Sequence, residues 1–157
     1  MIRDAMEAED GRLDYDPPER LRRLPSWLVS ELARRGATLV AESLAQEGVR
    51  RQHFAVLTSL AEQGAASQAA LGRRLWIDRS DLHALLAELE SDGLVARVRD
   101  PDDRRRNVVT VTAAGEAVLR RLDKRVEAAQ AALLEPLSAA ERREVIGLLE
   151  RVVSHRS

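Results

Sequence analysis

The amino-acid sequence predicts a mainly α-helical fold that carries one small antiparallel β-hairpin. Apolar residues recur every three or four positions in several segments, as they do on the buried face of an amphipathic helix. Residues 100–106 form a turn between two short runs rich in β-branched residues, which favour extended strands. Proline has a fixed φ angle, which suits Pro101 to a turn, and aspartates such as its neighbours are expected to bond to local backbone there. A protruding hairpin that follows a helical segment is typical of the wing of a winged helix.

Composition indicates one domain without a metal or other cofactor. A chain of 157 residues with 45% apolar residues is sufficient for one continuous core. The absence of cysteine excludes disulfides and thiolate sites, and the three histidines do not have the spacing of metal ligands. The acidic N-terminus has no apolar core, and no run approaches the ~20 apolar residues of a membrane span. We therefore expect a cytoplasmic protein.

The net charge of −1 does not exclude DNA as a partner. The first 19 residues hold seven acidic and two basic side chains, a charge of −5 that leaves +4 for the rest. DNA responds to the local field, because screening limits charge interactions to ~10 Å at 0.1 M salt. Residues 1–25 are expected to form a flexible acidic arm, since they have too few apolar residues to offset the entropy of ordering.

The remaining residues, 26–157, are expected to form a single winged-helix domain. Helices are predicted over residues 26–46 and 50–63, each followed by a glycine that ends it. Ser67 is expected to cap a short helix that runs to residue 75, and Asp78 a second that runs to residue 91. Two short helices joined by a brief turn indicate a helix-turn-helix.

Two long helices follow the hairpin. Thr112 is expected to cap the first, which stops before Pro136, and a capping box at residues 138–141 begins the second. Their apolar stripes exceed what a small lobe covers, so residues 113–157 are expected to be dimerisation helices beside a DNA-binding lobe of residues 49–112. The alternative is a monomer in which these stripes form a satellite core.

Element order and motif coincide in a way that resembles the MarR family of bacterial transcription regulators. The sharpest matches are G-L-V-x-R at residues 93–97, D-P-x-D-R-R at residues 100–105 and V-x-V-T-x-x-G at residues 109–115. Within residues 93–115, the one difference from these family motifs is Val111, where the family has Leu. The likeness covers roughly residues 26–155. It implies a homodimer in which the first helix, residues 26–48, interlocks with the last helices, residues 113–157. The two winged lobes of this dimer would straddle a palindromic operator in double-stranded DNA.

The residues expected to meet DNA lie in the helix-turn-helix and the hairpin. A recognition helix presents its first turns to the major groove, and the start of the supporting helix faces phosphate. The resemblance makes Arg105 the minor-groove arginine and Asp103 the residue that orients the wing. The candidate DNA-binding residues are Ser67, Gln68, Arg79, Ser80, His83, Arg97, Arg104, Arg105 and Arg106.

Each of these assignments has a structural alternative. The wing arginines are alternatively solvated partners of the neighbouring aspartates. For His83 the alternative to a groove contact is a solvated surface position. Asp81 is expected to accept from free amides at the helix start, the alternative being an acceptor for a cytosine amino group.

The resemblance further implies a small, often anionic aromatic ligand that releases DNA. The candidate pocket residues are Trp27, Arg34, His53 and Trp76. The alternatives are dimer packing for Trp27, surface charge for Arg34 and a satisfied, semi-buried histidine for His53. Trp76 stands at a helix-ending position where related sequences often have Gly, and we expect it to pack the two helices of the helix-turn-helix against each other.

These observations predict a dimeric, sequence-specific DNA-binding transcription regulator, a repressor that a small ligand releases. The alternative is a winged-helix module that mediates protein contacts without operator binding. An enzyme is not expected, because the sequence has no nucleophile-base constellation, phosphate-cradling glycine loop or metal set.

Overall fold

Residues 17–100 and 107–155, the part of the chain that the computed structural model describes, form seven helices and one two-stranded antiparallel sheet. The predicted mainly helical fold with a small β-hairpin is confirmed. The elements are α1 (Glu19–Arg22), α2 (Pro25–Ala45), α3 (Arg51–Gln63), α4 (Gln68–Leu75), α5 (Arg79–Ser91), β1 (Val95–Arg99), β2 (Asn107–Val111), α6 (Ala113–Leu133) and α7 (Ala139–Ser154).

The chain divides into two units, residues 1–34 and 35–157. In the described part of the first unit, α1 lies inside the segment predicted as an arm, and the sequence reasoning did not predict this four-residue helix. The rest of the predicted arm, residues 1–16, lies outside the described residues. None of the described helices is long and apolar enough to cross a membrane.

The core of the second unit is built from leucine and valine side chains of five helices. This arrangement explains the helical spacing of the apolar residues, because each helix turns one stripe towards the same interior. Burial of each such side chain contributes about 1.5–3 kcal/mol. The largest fully buried side chains are Leu44, Val56, Leu57, Leu71, Leu82, Leu86, Leu89 and Leu122.

Three of the predicted helix caps are confirmed. Ser67 Oγ accepts from the backbone N–H of Ala70 at 3.3 Å at the start of α4. Thr112 Oγ1 caps α6 by accepting from the N–H of Gly115 at 3.0 Å. The capping box of α7 is present, and its hydrogen bonds lower the pKa of the participating glutamate, Glu141.

The predicted side-chain cap at Asp78 is wrong. Asp78 stands at the N-cap position of α5, but its side chain makes no capping hydrogen bond. Backbone hydrogen bonds close this turn instead. The N–H of Ile77 donates to the carbonyl of Gly72 at 3.1 Å, and the N–H of Leu82 donates to the carbonyl of Asp78 at 2.9 Å. The Asp78 side chain lines a concave surface between α4 and α5.

The two strands form the base of the wing. Val95 lies opposite Val111, and Arg99 lies opposite Asn107 at the other end of the ladder. The hairpin loop at residues 101–106 lies outside the described residues. A further backbone pairing joins the base of the wing to the helix-turn-helix: Ala66 and Val109 exchange hydrogen bonds of 3.0 and 2.8 Å. The residue before the Ser67 cap is thereby fixed to β2.

The start of α6 approaches the start of β1 closely. Thr112 Oγ1 donates to the carbonyl of Gly93 at 2.7 Å. A Cβ atom on Gly115 would overlap the carbonyl oxygen of Leu94 and lie 2.8 Å from Cγ2 of Val111. The T-x-x-G part of the motif is therefore explained by packing. Thr112 joins the start of α6 to the start of β1, and Gly115 leaves room for the two to approach.

The helices at the two ends carry apolar side chains that the described chain does not cover. No residue of α7 is buried, and Val153 is 83% exposed. In the first unit Leu28 and Val29 of α2 are about half exposed. The α7 stripe therefore does not form the satellite core of the monomeric alternative.

Candidate nucleic-acid interface

Four of the predicted DNA-binding residues line one concave surface between α4 and α5. The surface encloses about 1190 Å³ and includes Gln68, Arg79, Ser80 and His83. Three of them belong to the first two turns of α5, and their side chains are exposed. This is the part of a recognition helix that reaches base edges in a major groove.

Close packing in the turn sets the angle between the two helices. Gly72 lies so close to the turn that a Cβ atom there would be 3.1 Å from the carbonyl oxygen of Ile77. At the open end of the surface, the side-chain amide of Gln68 donates to the carbonyl of Arg79 at 3.3 Å. The amide of Gln68 therefore holds the first residue of α5 as well as lining the concave face.

Arg73 is a residue that the sequence reasoning missed. It lies on α4, is exposed, and lines the concave surface together with Ala69 and Arg79. The sequence carries no signal for it, because Arg73 lies five residues after Gln68 and joins this surface through the packing of α4 against α5. Arg73 and Arg79 add two positive charges to this surface against one negative charge from Asp78.

Asp81 does not show the predicted bonds to backbone amides. It lies in the first turn of α5, where a carboxylate is favoured by the helix dipole, and its side chain is exposed. No hydrogen bond of its side chain is found within residues 17–100 and 107–155. The free N–H groups of this turn therefore remain available to an external acceptor.

The other predicted DNA contacts lie at the edge of this surface or beyond the described residues. Ser67 uses its side-chain oxygen to cap α4. Arg97 on β1 donates from Nε to Glu90 on α5 at 3.1 Å, so it joins the wing to the recognition helix. Outside the described residues lie the remaining wing residues, Asp103, Arg104, Arg105 and Arg106.

His53 has the environment of a satisfied, semi-buried histidine. Its ring is 8% exposed, Nδ1 accepts from the backbone N–H of Arg50 at 3.4 Å, and Nε2 lies 2.9 Å from Oε2 of Glu88. Because Nδ1 is an acceptor, Nε2 carries the proton that is donated to Glu88. The pKa of Glu88 is lowered, mainly because the Arg50 guanidinium donates a hydrogen bond of 2.5 Å to its carboxylate. The cluster joins the start of α3 to the middle of α5.

Two of the four candidate pocket residues, Trp27 and Arg34, belong to the first unit, and the other two, His53 and Trp76, belong to the second. Trp27 and Arg34 line a shallow depression of about 320 Å³ within the first unit. Glu31 Oε1 lies 2.6 Å from the Arg34 guanidinium and raises its pKa. In the second unit, His53 is enclosed by its own partners, whereas the Trp76 side chain is exposed.

The predicted packing role of Trp76 is wrong. The residue is 95% exposed, and it is Gly72 of α4 that lies close to Ile77 in the turn and to Leu82 of α5. The backbone of Trp76 is left-handed, with φ 53° and ψ 42°, the conformation that glycine adopts freely. Among the described residues, Trp76 is the only one other than glycine with a positive φ.

Comparison with known proteins relates this arrangement to one family. A sequence profile of the MarR family matches residues 47–106. The putative transcriptional regulatory protein for the hcr operon of Thauera aromatica is 35% identical over 106 residues, which is 68% of this chain and 64% of that protein. The chain thus spans less than two thirds of that relative. The HTH-type transcriptional repressor Rv2887 of Mycobacterium tuberculosis is 32% identical over 126 residues, covering 78% of this chain and 91% of that protein.

Solved structures share the fold. The M. tuberculosis MarR family protein Rv2887, solved in complex with DNA, has a TM-score of 0.74 at 27% identity and covers 88% of this chain and 100% of its own. The PcaV transcriptional regulator of Streptomyces coelicolor, solved with its natural ligand, has a TM-score of 0.68 at 30% identity. The match covers 88% of this chain and 97% of PcaV. Because a repressor at 32% identity is matched over nine tenths of its length and its fold is shared, this chain belongs to the MarR family of winged-helix transcription regulators.

Proposed function

We propose that the chain is a homodimeric, sequence-specific DNA-binding regulator, a repressor that a small ligand releases from its operator. The observation that carries the proposal is the concave surface between α4 and α5, which is lined by Arg73, Arg79, Ser80 and His83. Arginine and histidine side chains at the start of a recognition helix are suited to phosphates and base edges. The solved complex of the related Rv2887 with DNA supports this reading.

The wing supplies the second set of contacts. Arg105 is proposed to enter the minor groove, where the negative potential favours an inserted guanidinium, and Asp103 to orient the loop. The ladder of β1 and β2 and the pairing of Ala66 with Val109 support this proposal, because they hold the base of the loop beside α4.

Dimerisation is proposed to use the terminal helices. The exposed apolar residues of α7, including Leu148, Val152 and Val153, favour burial against a second copy. Leu28 of α2 contributes a further apolar side chain from the first unit. A two-fold dimer is expected to read half-sites ~10–10.5 bp apart or a multiple of this spacing.

The proposed ligand is a small aromatic anion. The related PcaV regulator was solved with its natural ligand, and the first unit of this chain offers an indole and a guanidinium at one depression, at Trp27 and Arg34. Since Glu31 already holds Arg34, a carboxylate ligand would displace Glu31 from that guanidinium. The protein is further proposed to act in the cytoplasm and to have no enzymatic activity, in keeping with its family.

Selection of binding sites from random duplexes, at a stated salt concentration, tests the proposal. The expected result is an enriched palindrome whose affinity falls steeply with salt. A panel of aromatic carboxylates is then added to the complex, and release of the selected duplex is measured. Salt-insensitive binding with no enriched dyad would instead favour the alternative, a protein-interaction module.

Single arginine substitutions make this test specific to the proposed surface. Arg79→Ala and Arg105→Ala should each weaken operator binding and reduce the salt slope by about one if one phosphate contact is lost. Arg120→Ala is the charge-matched control, because Arg120 is exposed on α6 and does not line the concave surface. Equal effects of all three substitutions would show only a general loss of positive charge and would contradict the assignment.

A further inference from the structure

Trp76 combines an unfavourable backbone conformation with an exposed side chain. Its φ of 53° lies in the left-handed region, which every residue with a Cβ atom enters at a cost and glycine enters freely. The residue is 95% exposed, so the indole gains no burial in the folded chain. Most large apolar side chains at a turn are at least partly covered, and this one is not.

The structural role of the position does not require an indole. Trp76 ends α4 through its backbone, because its N–H bonds to the carbonyl of Gly72. Glycine would make the same hydrogen bond without the steric cost of a left-handed Cβ atom. The side chain is therefore explained by something outside the described chain.

The segment around Trp76 has a net positive charge, because Arg73, Arg74 and Arg79 stand against one exposed carboxylate, that of Asp78. Arg73 and Arg74 precede it and Arg79 follows it, and all three are exposed. Across residues 17–100 and 107–155, none of the three arginines forms an ion pair or side-chain hydrogen bond. Arg73 and Arg79 also line the concave surface assigned to DNA. An exposed apolar ring in a segment with net positive charge is complementary to a polyanion that also has apolar faces.

We propose that Trp76 contacts the DNA backbone beside the groove that α5 enters. The indole lies against deoxyribose rings, and its Nε1–H donates to a phosphate oxygen. This inference rests on the proposed DNA binding and adds a contact outside α5 and the wing. Because sugars and phosphates are the same at every base pair, the contact adds affinity without sequence preference.

Replacement by glycine separates the contact from the fold. Trp76→Gly removes the indole and fits the left-handed turn, so its melting temperature should equal or exceed that of the wild type. Its affinity should fall at least about tenfold, equally for the selected operator and for a mixed-sequence duplex. The salt slope should stay at the wild-type value, because no cationic side chain is removed. Trp76→Phe should lose less affinity, since it keeps an apolar ring.

Fluorescence follows the same side chain directly. The chain has two tryptophans, so Trp27→Phe leaves Trp76 as the only one. Without DNA the exposed indole should be quenched readily by acrylamide, and bound mixed-sequence duplex should shield it. The measurement without DNA is repeated over a range of protein concentrations.

The outcomes distinguish this inference from the proposed function. If the wild type binds no duplex, the proposed function fails. If the wild type binds duplex while Trp76→Gly binds equally well and the bound indole remains quenchable, only the Trp76 contact is overturned. Shielding that appears without DNA and grows with protein concentration would place the indole against a second copy, which also overturns it.

Discussion

Substitution of Gly115 tests the junction between α6 and the wing. An added Cβ atom would overlap the carbonyl oxygen of Leu94, lie 2.8 Å from Cγ2 of Val111 and lie 3.0 Å from the carbonyl carbon of Leu94. Two of these three atoms belong to backbone, which cannot rotate away as a side chain would. Gly115→Ala must therefore shift the start of α6 away from β1.

The expected cost follows from two effects. Overpacking of a close contact typically costs about 1–3 kcal/mol. The shift also strains the Thr112 hydroxyl, which caps α6 and donates to Gly93 at 2.7 Å, and the loss of a cap costs about 1 kcal/mol. A total of about 2–4 kcal/mol is a large part of an ordinary folding free energy of 5–15 kcal/mol. The melting temperature should fall by about 5–15 °C.

Thermal unfolding followed by far-ultraviolet circular dichroism measures this effect. Gly147→Ala is the matched control, because Gly147 lies inside α7 with no atom within 4 Å of an added Cβ. Alanine should stabilise that helix by up to about 1 kcal/mol. Both variants are compared at one protein concentration, since the stability of a dimer depends on it. If Gly115→Ala unfolds within ~1 °C of the wild type, the packing argument for this glycine is refuted.

Two further predictions concern hydrogen-bonded glutamates. Ser138→Ala removes the cap of α7 and should lower the free energy of unfolding in urea by about 1 kcal/mol, whereas Ser91→Ala, at the other end of a helix, should change it less. No difference between the two would contradict the capping role. For Glu88 the folded-state pKa is lowered, chiefly by the hydrogen bond from Arg50. Its contribution to stability is therefore present above its unfolded pKa of about 4.5 and is lost as the pH falls through the lower folded value. Stability measured from neutral pH into this acidic range should be less pH-dependent in Glu88→Gln, and an identical profile would contradict this reasoning.

Local chemistry explains why several elements could be predicted. The caps at Ser67 and Thr112 depend on a side-chain oxygen and a nearby backbone N–H, and both are set within four residues of sequence. The β-hairpin was predictable for the same reason, because a proline turn between β-branched runs has few other conformations.

The features that could not be predicted depend on packing between elements. Arg73 joins the concave surface only because α4 and α5 meet at a particular angle. Whether Trp76 was covered or exposed depended on which residues filled the turn, and Gly72, Ile77 and Leu82 fill it. The pairing of Arg97 with Glu90 connects two elements and left no pattern at either residue. Helix α1 was missed because a single turn of four residues carries no periodic signal.

The backbone pairing of Ala66 with Val109 has a consequence for engineering DNA specificity in this chain. The residue that precedes the supporting helix is hydrogen-bonded to the second strand, and the T-x-x-G junction fixes the start of the first strand to the helix that follows the hairpin. A graft limited to the thirteen residues of α5 would retain the host's geometry between helix and hairpin. Exchange of residues 66–115 as one block would transfer both reading elements together with the hydrogen bonds that set their spacing.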